Sequence, residues 1–351
     1  MDDITVLVTG SGAPGIQGTI YSLKNNFDKR DIRIIGTDIR VDVAGAYLCD
    51  AFYQITRPDN PEYLEQLLSI CACENVDVVI PQNTAELSVL ANNKSLFQNN
   101  GTEVLVSDPN SIAVANNKYQ LLLLAEQKGI PTPKFFQVMT FDHLEKAAKE
   151  LGWPEKPIVV KPPASNGMRG VRIIDESFDR KKLFYEEKPT TLYLKMNNLY
   201  EILRMSFAPL LVMEYLPGSE YTVDVLKTDG YCIVPRRRNR IQSGITFYGT
   251  VEKRDDIIRY SERLSNVLGL EYAFGFQFKE DRNGVPKLLE SNPRVQGTMV
   301  LSTFADANII YGAVKQSLNE PIPEFHVDWN TKILRYWGGL GIKNGKIIGQ
   351  L

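Results

Sequence analysis

One stretch of the sequence decides the fold. Residues 276–294 read FQFKEDRNGVPKLLESNPR, and the Asn-Gly pair at 283–284 separates two runs in which apolar and polar residues alternate. Asn-Gly favours a two-residue type I′ turn, because both residues tolerate positive φ, so the stretch predicts a β-hairpin. The two strands of this hairpin are the starting point for placing the remaining motifs.

The predicted hairpin presents one polar face. Counting outward from the turn sets Arg282 opposite Val285 and Gln277 opposite Glu290. Since side chains alternate between the faces of a strand, Gln277, Glu290 and Asn292 project from the same face. Their oxygens suit a hard cation such as Mg²⁺, which proteins usually hold with one or two carboxylates plus substrate phosphates. A solvated polar face on an ordinary hairpin is the alternative.

The composition is that of a globular protein without a strong charge. The chain has 351 residues, 43% hydrophobic and 23% charged, with a formal net charge of −2. This balance argues against nucleic-acid and membrane partners, and no apolar run is long enough to span a bilayer. The N-terminus leads into a predicted strand rather than a signal peptide, and the 4 cysteines lack zinc-ligand spacing. We therefore expect a cytoplasmic protein.

Strand-like and helix-like segments alternate over the first part of the chain. Short β-rich runs, such as Thr5 to Val8, are followed by helical patterns, such as Gln17 to Asn25. This alternation predicts the α/β class, with a parallel sheet that has helices on both sides. Near Ser111 the pattern changes, and a second region begins with a helix that ends at Gly129.

A glycine-rich turn follows the first predicted strand. Residues 10–15 read GSGAPG and open a helix, and Asp38 ends the second predicted strand. These letters match the dinucleotide-binding fingerprint, so an NAD(P)-dependent oxidoreductase is a serious alternative. The Tyr-x-x-x-Lys pair of many short-chain dehydrogenases occurs as Tyr311 and Lys315, where we expect a helix surface.

A lysine lies at the end of an apolar strand, beside a loop of small residues. Lys161 ends the run Ile158-Val159-Val160 and begins the segment KPPASNGMRG, residues 161–170. A lysine in this position can hold phosphate as a point charge while N–H groups of the loop close over it. A surface turn that merely contains small residues is the alternative.

Two predicted strands are joined by a Pro-Gly turn in the segment LVMEYLPGSEYTVD, residues 211–224. The apolar end at Met213-Glu214 could present backbone groups to an adenine edge, and Glu220 could accept hydrogen bonds from ribose hydroxyls. Alternation places Glu220 and Asp224 on one face and Tyr221 on the core face. An ordinary amphipathic strand is equally consistent with this pattern.

The chain has one locally basic segment, RRRNR at residues 236–240. Charge runs are usually solvated. In a strand, however, Arg236, Arg238 and Arg240 share a face, from which they could bind phosphate or carboxylate groups.

Together these segments resemble the ATP-grasp superfamily, most closely one module of the carbamoyl-phosphate synthase large subunit. The resemblance rests on the order and spacing of four segments over roughly residues 111–307. They are Lys118 in Asn116-Asn117-Lys118, Lys161 with its glycine loop, Met213-Glu214-Tyr215 with Glu220, and Gln277 with residues 290–294. The preceding α/β region looks like that family's pre-ATP-grasp domain. The expected fold is therefore a Rossmann-like parallel sheet followed by a two-subdomain α+β ATP-grasp fold.

The resemblance implies a site residue by residue. Lys118 and Lys161 would bind ATP phosphates, with Gly167 to Gly170 as a flap over them. The adenine hinge would be Met213, Glu214, Tyr215 and Leu216, with Glu220 on the ribose. Gln277, Glu290 and Asn292 would hold Mg²⁺, expected as two ions for which Mn²⁺ could substitute. Arg294 would lie near the transferred phosphoryl group, while Arg236 and Arg238 are our candidates for binding the acylphosphate or an anionic substrate.

The implied chemistry is ATP-dependent ligation: a carboxylate becomes an acylphosphate and an amine then attacks it, releasing ADP and phosphate. The partners are a small-molecule carboxylate and an amine, and a homodimer stays open. The expected domains are residues 1–112, 113–206, 207–325 and 326–351. An NAD(P)-dependent oxidoreductase and a catalytically inactive nucleotide-binding regulator remain the two alternatives.

Overall fold

A computed structural model describes residues 3–165, 169–186, 191–242 and 244–351. The chain divides into two compact units. Unit 1 comprises residues 1–115, 220–278 and 291–351, and unit 2 comprises residues 116–219 and 279–290. The four domains expected from the sequence stay a prediction. None of the helices in the described residues is long and apolar enough to cross a lipid bilayer.

The first sheet of unit 1 is parallel and has five strands in the order β3-β2-β1-β4-β5. The strands are β1 (Ile4–Val8), β2 (Ile32–Asp38), β3 (Ala51–Gln54), β4 (Val78–Ile80) and β5 (Glu103–Val104). The helices are α1 (Ile16–Lys24), α2 (Gly45–Leu48), α3 (Tyr63–Glu74), α4 (Leu87–Asn92), α5 (Lys94–Gln98) and α6 (Pro109–Asn116). The predicted parallel α/β sheet is confirmed.

The central strands of this sheet are apolar because both of their faces are covered. On β1, Val6, Leu7 and Val8 are all fully buried. Val6 and Val8 belong to one apolar core cluster and Leu7 to another. Continuous apolar runs of this kind are typical of parallel strands with a core on each side.

Unit 2 contains a second sheet, with the strand order β6-β10-β7-β8-β9. Its strands are β6 (Phe135–Thr140), β7 (Ile158–Lys161), β8 (Arg172–Ile174), β9 (Tyr193–Leu194) and β10 (Ser206–Glu214). Its helices are α7 (Lys118–Gln127), α8 (Phe141–Glu150), α9 (Arg180–Glu186) and α10 (Met196–Leu203). Helix α7 begins at Lys118 because the Asn117 side chain accepts the N–H bonds of Tyr119 and Gln120. This cap fixes the position of Lys118.

A six-stranded sheet follows, in the order β15-β14-β11-β12-β13-β16. Its strands are β11 (Glu220–Lys227), β12 (Tyr231–Gln242), β13 (Ile245–Val251), β14 (Ala273–Glu280), β15 (Pro286–Asn292) and β16 (Lys332–Leu334). The remaining elements are α11 (Asp255–Leu268), α12 (Val300–Phe304), α13 (Ile309–Ser317) and the hairpin β17 (Leu340–Lys343) and β18 (Lys346–Gln350).

Strand β11 lies in this sheet with both faces covered. Tyr221 is 1% exposed on one face, and Thr222 and Asp224 are 8% and 0% exposed on the other. Alternation placed Asp224 on the face opposite Tyr221, and the structure buries that face as well. An ordinary amphipathic strand, the alternative considered for this segment, would have left it solvated.

The turn of the β14–β15 hairpin differs from the prediction. Only Gly284 has positive φ, +77°, and the Asp281 N–H donates to the Val285 carbonyl at 3.0 Å. The loop thus has three residues with glycine in the left-handed position, and Asp281 rather than Arg282 faces Val285. Two Asp281 Oδ1 contacts, to the N–H groups of Asn283 and Val285, favour this longer turn. The longer loop shifts the pairing of the two strands by one residue next to the turn, so the turn no longer supports the predicted pairing of Gln277 with Glu290.

The Tyr311–Lys315 pair is buried rather than on a helix surface. Tyr311 and Lys315, on α13, are 0% and 2% exposed. The Lys315 ammonium group and the Tyr311 hydroxyl both donate to the Asp28 carboxylate. Because a buried ammonium group needs an anionic partner, Asp28 explains how Lys315 is accommodated.

Candidate functional site

Two buried lysines of unit 2 reach the same short segment of β15. Lys118 is 5% exposed; its Nζ lies 3.4 Å from Glu290 Oε2 and donates to the Ser165 carbonyl. Lys161, at the end of β7, is 6% exposed and donates to the Leu289 carbonyl at 3.4 Å. Since Leu289 and Glu290 are consecutive, two cations and one carboxylate come together there.

The predicted adenine hinge lies at the end of β10. Met213 and Leu216 are 1% and 3% exposed, so the segment is held by the core of unit 2. The Glu214 carboxylate forms an ion pair with Lys287 at 3.0 Å and accepts the Lys134 N–H at 3.1 Å. The Glu214 N–H donates to the Lys134 carbonyl at 2.9 Å. These contacts fix the chain just before it turns toward Tyr215.

The loop after Lys161 contains a glycine that no other residue replaces easily. Gly170 has φ +74°, and a Cβ at this position would lie 2.7 Å from Pro162 Cδ and Cγ. Both the left-handed backbone and the close approach require glycine. Gly167, the other glycine predicted for the flap, lies outside the described residues.

Three predicted site residues meet on one face of unit 1. The Glu220 carboxylate accepts hydrogen bonds from the Gln277 amide and the Arg238 guanidinium. Arg238 also donates through Nε to Thr246 Oγ1 at 2.9 Å and through Nη2 to the Gly244 carbonyl at 2.6 Å. The strand order β14-β11-β12 makes their three strands neighbours. The structure thus links residues predicted for metal, ribose and substrate.

Arg236 is buried instead of lining an open face. It is 2% exposed, and its Nη2 lies 2.6 Å from Asp224 Oδ1. Asp224 also accepts the Ser302 hydroxyl at 2.6 Å, and burial raises the pKa of this carboxyl whereas the Arg236 charge opposes the rise. The predicted common face does not extend to Arg240, because the β12–β13 register shifts between Arg238 and Arg240.

Arg294 follows β15 and is held by unit 1. Its Nε donates to Thr84 Oγ1 at 3.1 Å and its Nη1 to the Val295 carbonyl at 2.9 Å. Its N–H donates to the Asn292 carbonyl at 2.7 Å. Burial raises the pKa of the nearby Glu86 carboxyl, and the positive charge of Arg294 is among the interactions that oppose this rise. The roles predicted for Arg294 and Asn292 stay predictions.

The glycine-rich turn after β1 is in close contact with other residues of the chain. Asp38 is 8% exposed, and its Oδ2 accepts the Gly12 N–H at 2.7 Å. A Cβ on Gly12 would lie 2.7 Å from the same carboxylate oxygen, and one on Gly15 would lie 2.4 Å from the Gly297 Cα. The carboxylate that a dinucleotide would use for its ribose therefore stabilises the turn, which argues against an NAD(P) site.

The predicted metal ligands are oxygen donors of low total charge. Within the described residues, no three His, Cys, Asp or Glu side chains converge as a metal site. The predicted set has one carboxylate, Glu290, and the side-chain amides of Gln277 and Asn292. Donors of this kind suit Mg²⁺ that takes further ligands from a nucleotide. The metal role of these three residues stays a prediction.

Two residues of these clusters were not found from the sequence: Lys287, and Asp224 as the partner of Arg236. Lys287 could have been found, because it lies within the hairpin and faces Glu214. The Asp224–Arg236 pair depends on which strands become neighbours, and no local pattern carries that information.

Comparison with known proteins assigns the fold. Residues 206–336 match the family model described as ATP-grasp in the biosynthetic pathway with Ter operon. The matched range includes Glu220, Gln277, Glu290 and Arg294. The chain thus carries an ATP-grasp domain over these residues. Residues 6–105 match a second model, the PylC-like N-terminal domain.

Curated relatives share sequence with most of the chain. The large chain of carbamoyl phosphate synthase from Clostridium acetobutylicum is 24% identical over 265 residues, 72% of this chain and 23% of the relative. The corresponding protein of Clostridium botulinum (strain Kyoto) is 27% identical over 270 residues, 74% of this chain and 23% of the relative. The chain thus spans about a quarter of the length of these relatives.

Solved structures share its fold at low sequence identity. An N5-carboxyaminoimidazole ribonucleotide synthetase in complex with ADP has a TM-score of 0.67 and 15% identity, covering 93% of this chain and 79% of that one. The biotin carboxylase domain of Hydrogenobacter thermophilus 2-oxoglutarate carboxylase has a TM-score of 0.68 and 16% identity, covering 93% and 72%. An L-amino acid ligase from Bacillus licheniformis has a TM-score of 0.62 and 13% identity, covering 91% and 74%.

Proposed function

We propose that this ATP-grasp chain is an ADP-forming, Mg²⁺-dependent ligase. A carboxylate oxygen of one substrate attacks the γ-phosphorus of ATP, ADP leaves, and an acylphosphate forms. The amine nitrogen of a second substrate then attacks the acyl carbon, phosphate leaves, and the nitrogen loses a proton. Bound Mg²⁺ would neutralise charge on the transferred phosphoryl group.

The observation that carries this proposal is the convergence of Lys118 and Lys161 on Leu289–Glu290 in unit 2. The convergence of two buried ammonium groups on one short segment suits the binding of a polyphosphate. The neighbouring Gly170 provides the backbone freedom that a loop over phosphates needs. ADP complexes of proteins with the same fold support a nucleotide as the ligand.

The residues of unit 1 have proposed roles as well. Gln277, Glu220 and Arg238 form a connected polar cluster on three neighbouring strands. We assign Gln277 and Asn292 to Mg²⁺, Glu220 to the ribose and Arg294 to the transferred phosphoryl group. Arg238, already bonded to Glu220, acts mainly by positioning that carboxylate. Such a site works by orientation and charge neutralisation rather than by a protein nucleophile.

Backbone contacts limit which residues of the predicted hinge can bind adenine. The Glu214 N–H is used by the Lys134 carbonyl, so Glu214 has no amide proton left for a ligand. We assign the adenine contacts to the backbone of Tyr215 and Leu216, which follow the strand end. The buried Met213 side chain supports the hinge from the core.

Titration calorimetry with a non-hydrolysable ATP analogue and Mg²⁺ tests nucleotide binding. Lys161→Ala should weaken it about tenfold or more, because the charge-assisted contact is lost. Lys149→Ala, which removes an exposed lysine from α8 of the same unit, is the matched control and should bind as wild type. Equal affinity in wild type and Lys161→Ala would contradict the phosphate assignment.

Turnover requires a second assay. ADP release is measured across pairs of carboxylates and amines, and hydroxylamine is used to trap an acylphosphate as a hydroxamate. Glu290→Gln should bind the nucleotide but lose Mg²⁺-dependent turnover. Tight nucleotide binding without ADP release from any pair would favour the inactive regulator instead. Stabilisation by NAD⁺ or NADPH but not by ATP would favour the oxidoreductase.

A further inference from the structure

Arg335 forms no ion pair among the residues that the structure describes. It follows β16, and its Nη1 and Nη2 donate to the carbonyls of Pro14 and Gly297 at 3.3 and 2.8 Å. Its Nε is buried and has no hydrogen-bond partner within the described residues. Two carbonyl groups hold the guanidinium in place, but they do not neutralise it. A buried donor that lacks a partner needs an explanation, and a ligand is one of the few available.

A second arginine lies in the same part of unit 1. Arg236 is 2% exposed, and its Nε is also buried without a partner in the described part of the chain. The surroundings of the two arginines meet at the segment Gln296–Gly297. Asp224, the partner of Arg236, accepts the Gln296 amide at 3.4 Å, and Arg335 donates to the Gly297 carbonyl. Burial lowers the pKa of Arg335, and the charge of Arg236 lowers it further.

The charges of this cluster do not cancel. Asp224 carries one negative charge, whereas Arg236 and Arg335 carry two positive ones. Arginine keeps its charge in proteins, so deprotonation does not remove the surplus, and an anionic ligand would balance it. The planar guanidinium fork matches a carboxylate especially well.

An exposed aromatic surface lies next to Arg335. The Phe247 carbonyl accepts the Arg335 N–H at 2.7 Å, and the Phe247 ring contacts the Trp337 ring with centroids 5.1 Å apart. Trp337 is 82% exposed. The Arg240 guanidinium lies 6.0 Å from the Phe247 centroid. A flat apolar group could stack on Trp337 while an attached anion reaches Arg335.

We propose that Arg335 binds a carboxylate group of a substrate, and that Trp337 packs against the flat, apolar body that carries it. The substrate class is therefore a small carboxylic acid with an aromatic or similarly planar group. This inference rests on the proposed ligase function for its biological meaning, but the binding itself does not require turnover. Arg335 is a specificity residue that the sequence motifs do not contain.

Benzoate is the probe for the first test, with and without Mg²⁺ and a non-hydrolysable ATP analogue. Titration calorimetry measures affinity, and tryptophan emission reports on Trp337, because Trp337 is far more exposed than Trp153 and Trp329. Wild type should bind benzoate with a change in emission that is absent in Trp337→Phe. Acetate, which lacks the flat body, should bind at least tenfold more weakly than benzoate.

Variants separate the anion contact from the stacking contact. Arg335→Gln should weaken benzoate binding about tenfold or more, and Arg335→Lys should bind between that variant and wild type. Trp337→Ala should weaken binding severalfold, whereas Trp337→Phe should retain most of the affinity. Two changes should have no effect: Tyr336→Ala, an exposed neighbouring ring, and Arg259→Gln, an exposed arginine on α11.

Two outcomes would overturn the proposal. The first is no benzoate binding under either condition, or equal affinity in wild type and Arg335→Gln. The second is tighter binding of inorganic phosphate than of benzoate, which would make this a phosphate site. Because Trp337 is exposed, its variants test the stacking contact even if Arg335→Gln loses its fold.

Further measurements identify the substrate and distinguish a failure of the ligase proposal from a failure of the carboxylate-site proposal. Hydroxamate formed from benzoate would mean that the carboxylate bound at Arg335 is the one that ATP activates. Binding of phenylalanine without hydroxamate would mean instead that Arg335 binds the carboxylate of the amine substrate. Loss of Mg·ATP binding with retained benzoate binding would refute the ligase alone. Retained Mg·ATP binding without carboxylate binding would refute this inference alone.

Discussion

Asp224→Ala should destabilise the protein strongly, because its carboxylate is the buried partner of Arg236. Asp224 is 0% exposed and lies 2.6 Å from Arg236, which is 2% exposed. Removing the carboxylate leaves a buried guanidinium without its counter-charge, a change that costs about 3–5 kcal/mol. Ser302 loses its acceptor in the same substitution, so we expect the upper part of that range.

Thermal unfolding followed by circular dichroism measures this effect. At about 2–4 °C per kcal/mol, the expected loss lowers the Tm by about 6–20 °C. Asp59→Ala is the matched control, because Asp59 also pairs with an arginine, Arg57 Nε at 3.4 Å, but both side chains are more than two-thirds exposed. This exposed pair should leave the Tm unchanged within error.

A double substitution tests the cause. Combining Asp224→Ala with Arg236→Met removes the stranded charge, so the double variant should be more stable than Asp224→Ala alone. A Tm of Asp224→Ala close to that of wild type would refute the buried ion pair. A double variant as unstable as the sum of the two single ones would show that charge pairing is not the reason.

Three further predictions address the loop, the buried charge network and the metal site. Gly170→Ala should lower stability by about 1–2 kcal/mol in urea titrations because φ is +74°, whereas Gly230→Ala, in open space, should not. Burial acts to raise the pKa of Asp28, but the hydrogen bonds from Lys315 and Tyr311 outweigh this effect, so the pKa is lowered below 3.8. The ionised Asp28 therefore contributes its full stabilisation above pH 3.8. This stabilisation is lost as the pH falls through the lower pKa of the folded state. Asp28→Asn should flatten the acid side of the Tm profile below about pH 4. Glu290→Gln should reduce the Mg²⁺ dependence of nucleotide affinity in calorimetric titrations at varied Mg²⁺.

Features encoded by neighbouring residues could be predicted from the sequence. Lys161 ends an apolar strand and precedes prolines, so its position at a strand end follows from local rules, and β7 ends there. The Asn-Gly pair at 283–284 predicted a hairpin, which is present, but its turn type was wrong. The two-residue and three-residue loops differ by a single residue, and the Asp281 side chain favours the longer one.

Contacts between distant segments could not be predicted in the same way. Glu220 meets Arg238 and Gln277 because β11 lies between β14 and β12, although β14 is not its neighbour in sequence. Alternation correctly placed Arg236 and Asp224 on particular faces but gave no information on what covers those faces. Whether a polar residue is solvated or paired depends on that cover.

The arginines show how this uncertainty bears on function. The basic run at residues 236–240 was interpreted as one cluster, but its members make separate contacts. Arg238 bonds to Glu220, Arg236 pairs with Asp224, and Arg240 lies over the Phe247 ring. Arg335 is not part of a basic run, so the sequence did not mark it as a candidate, but its buried Nε lacks a partner in the described part of the chain. Since an internal carboxylate satisfies Arg236 and none satisfies Arg335, the charge available for a ligand comes mainly from the residue outside the motif. Substrate choice in this protein would then depend on residue 335 more than on the arginine-rich strand.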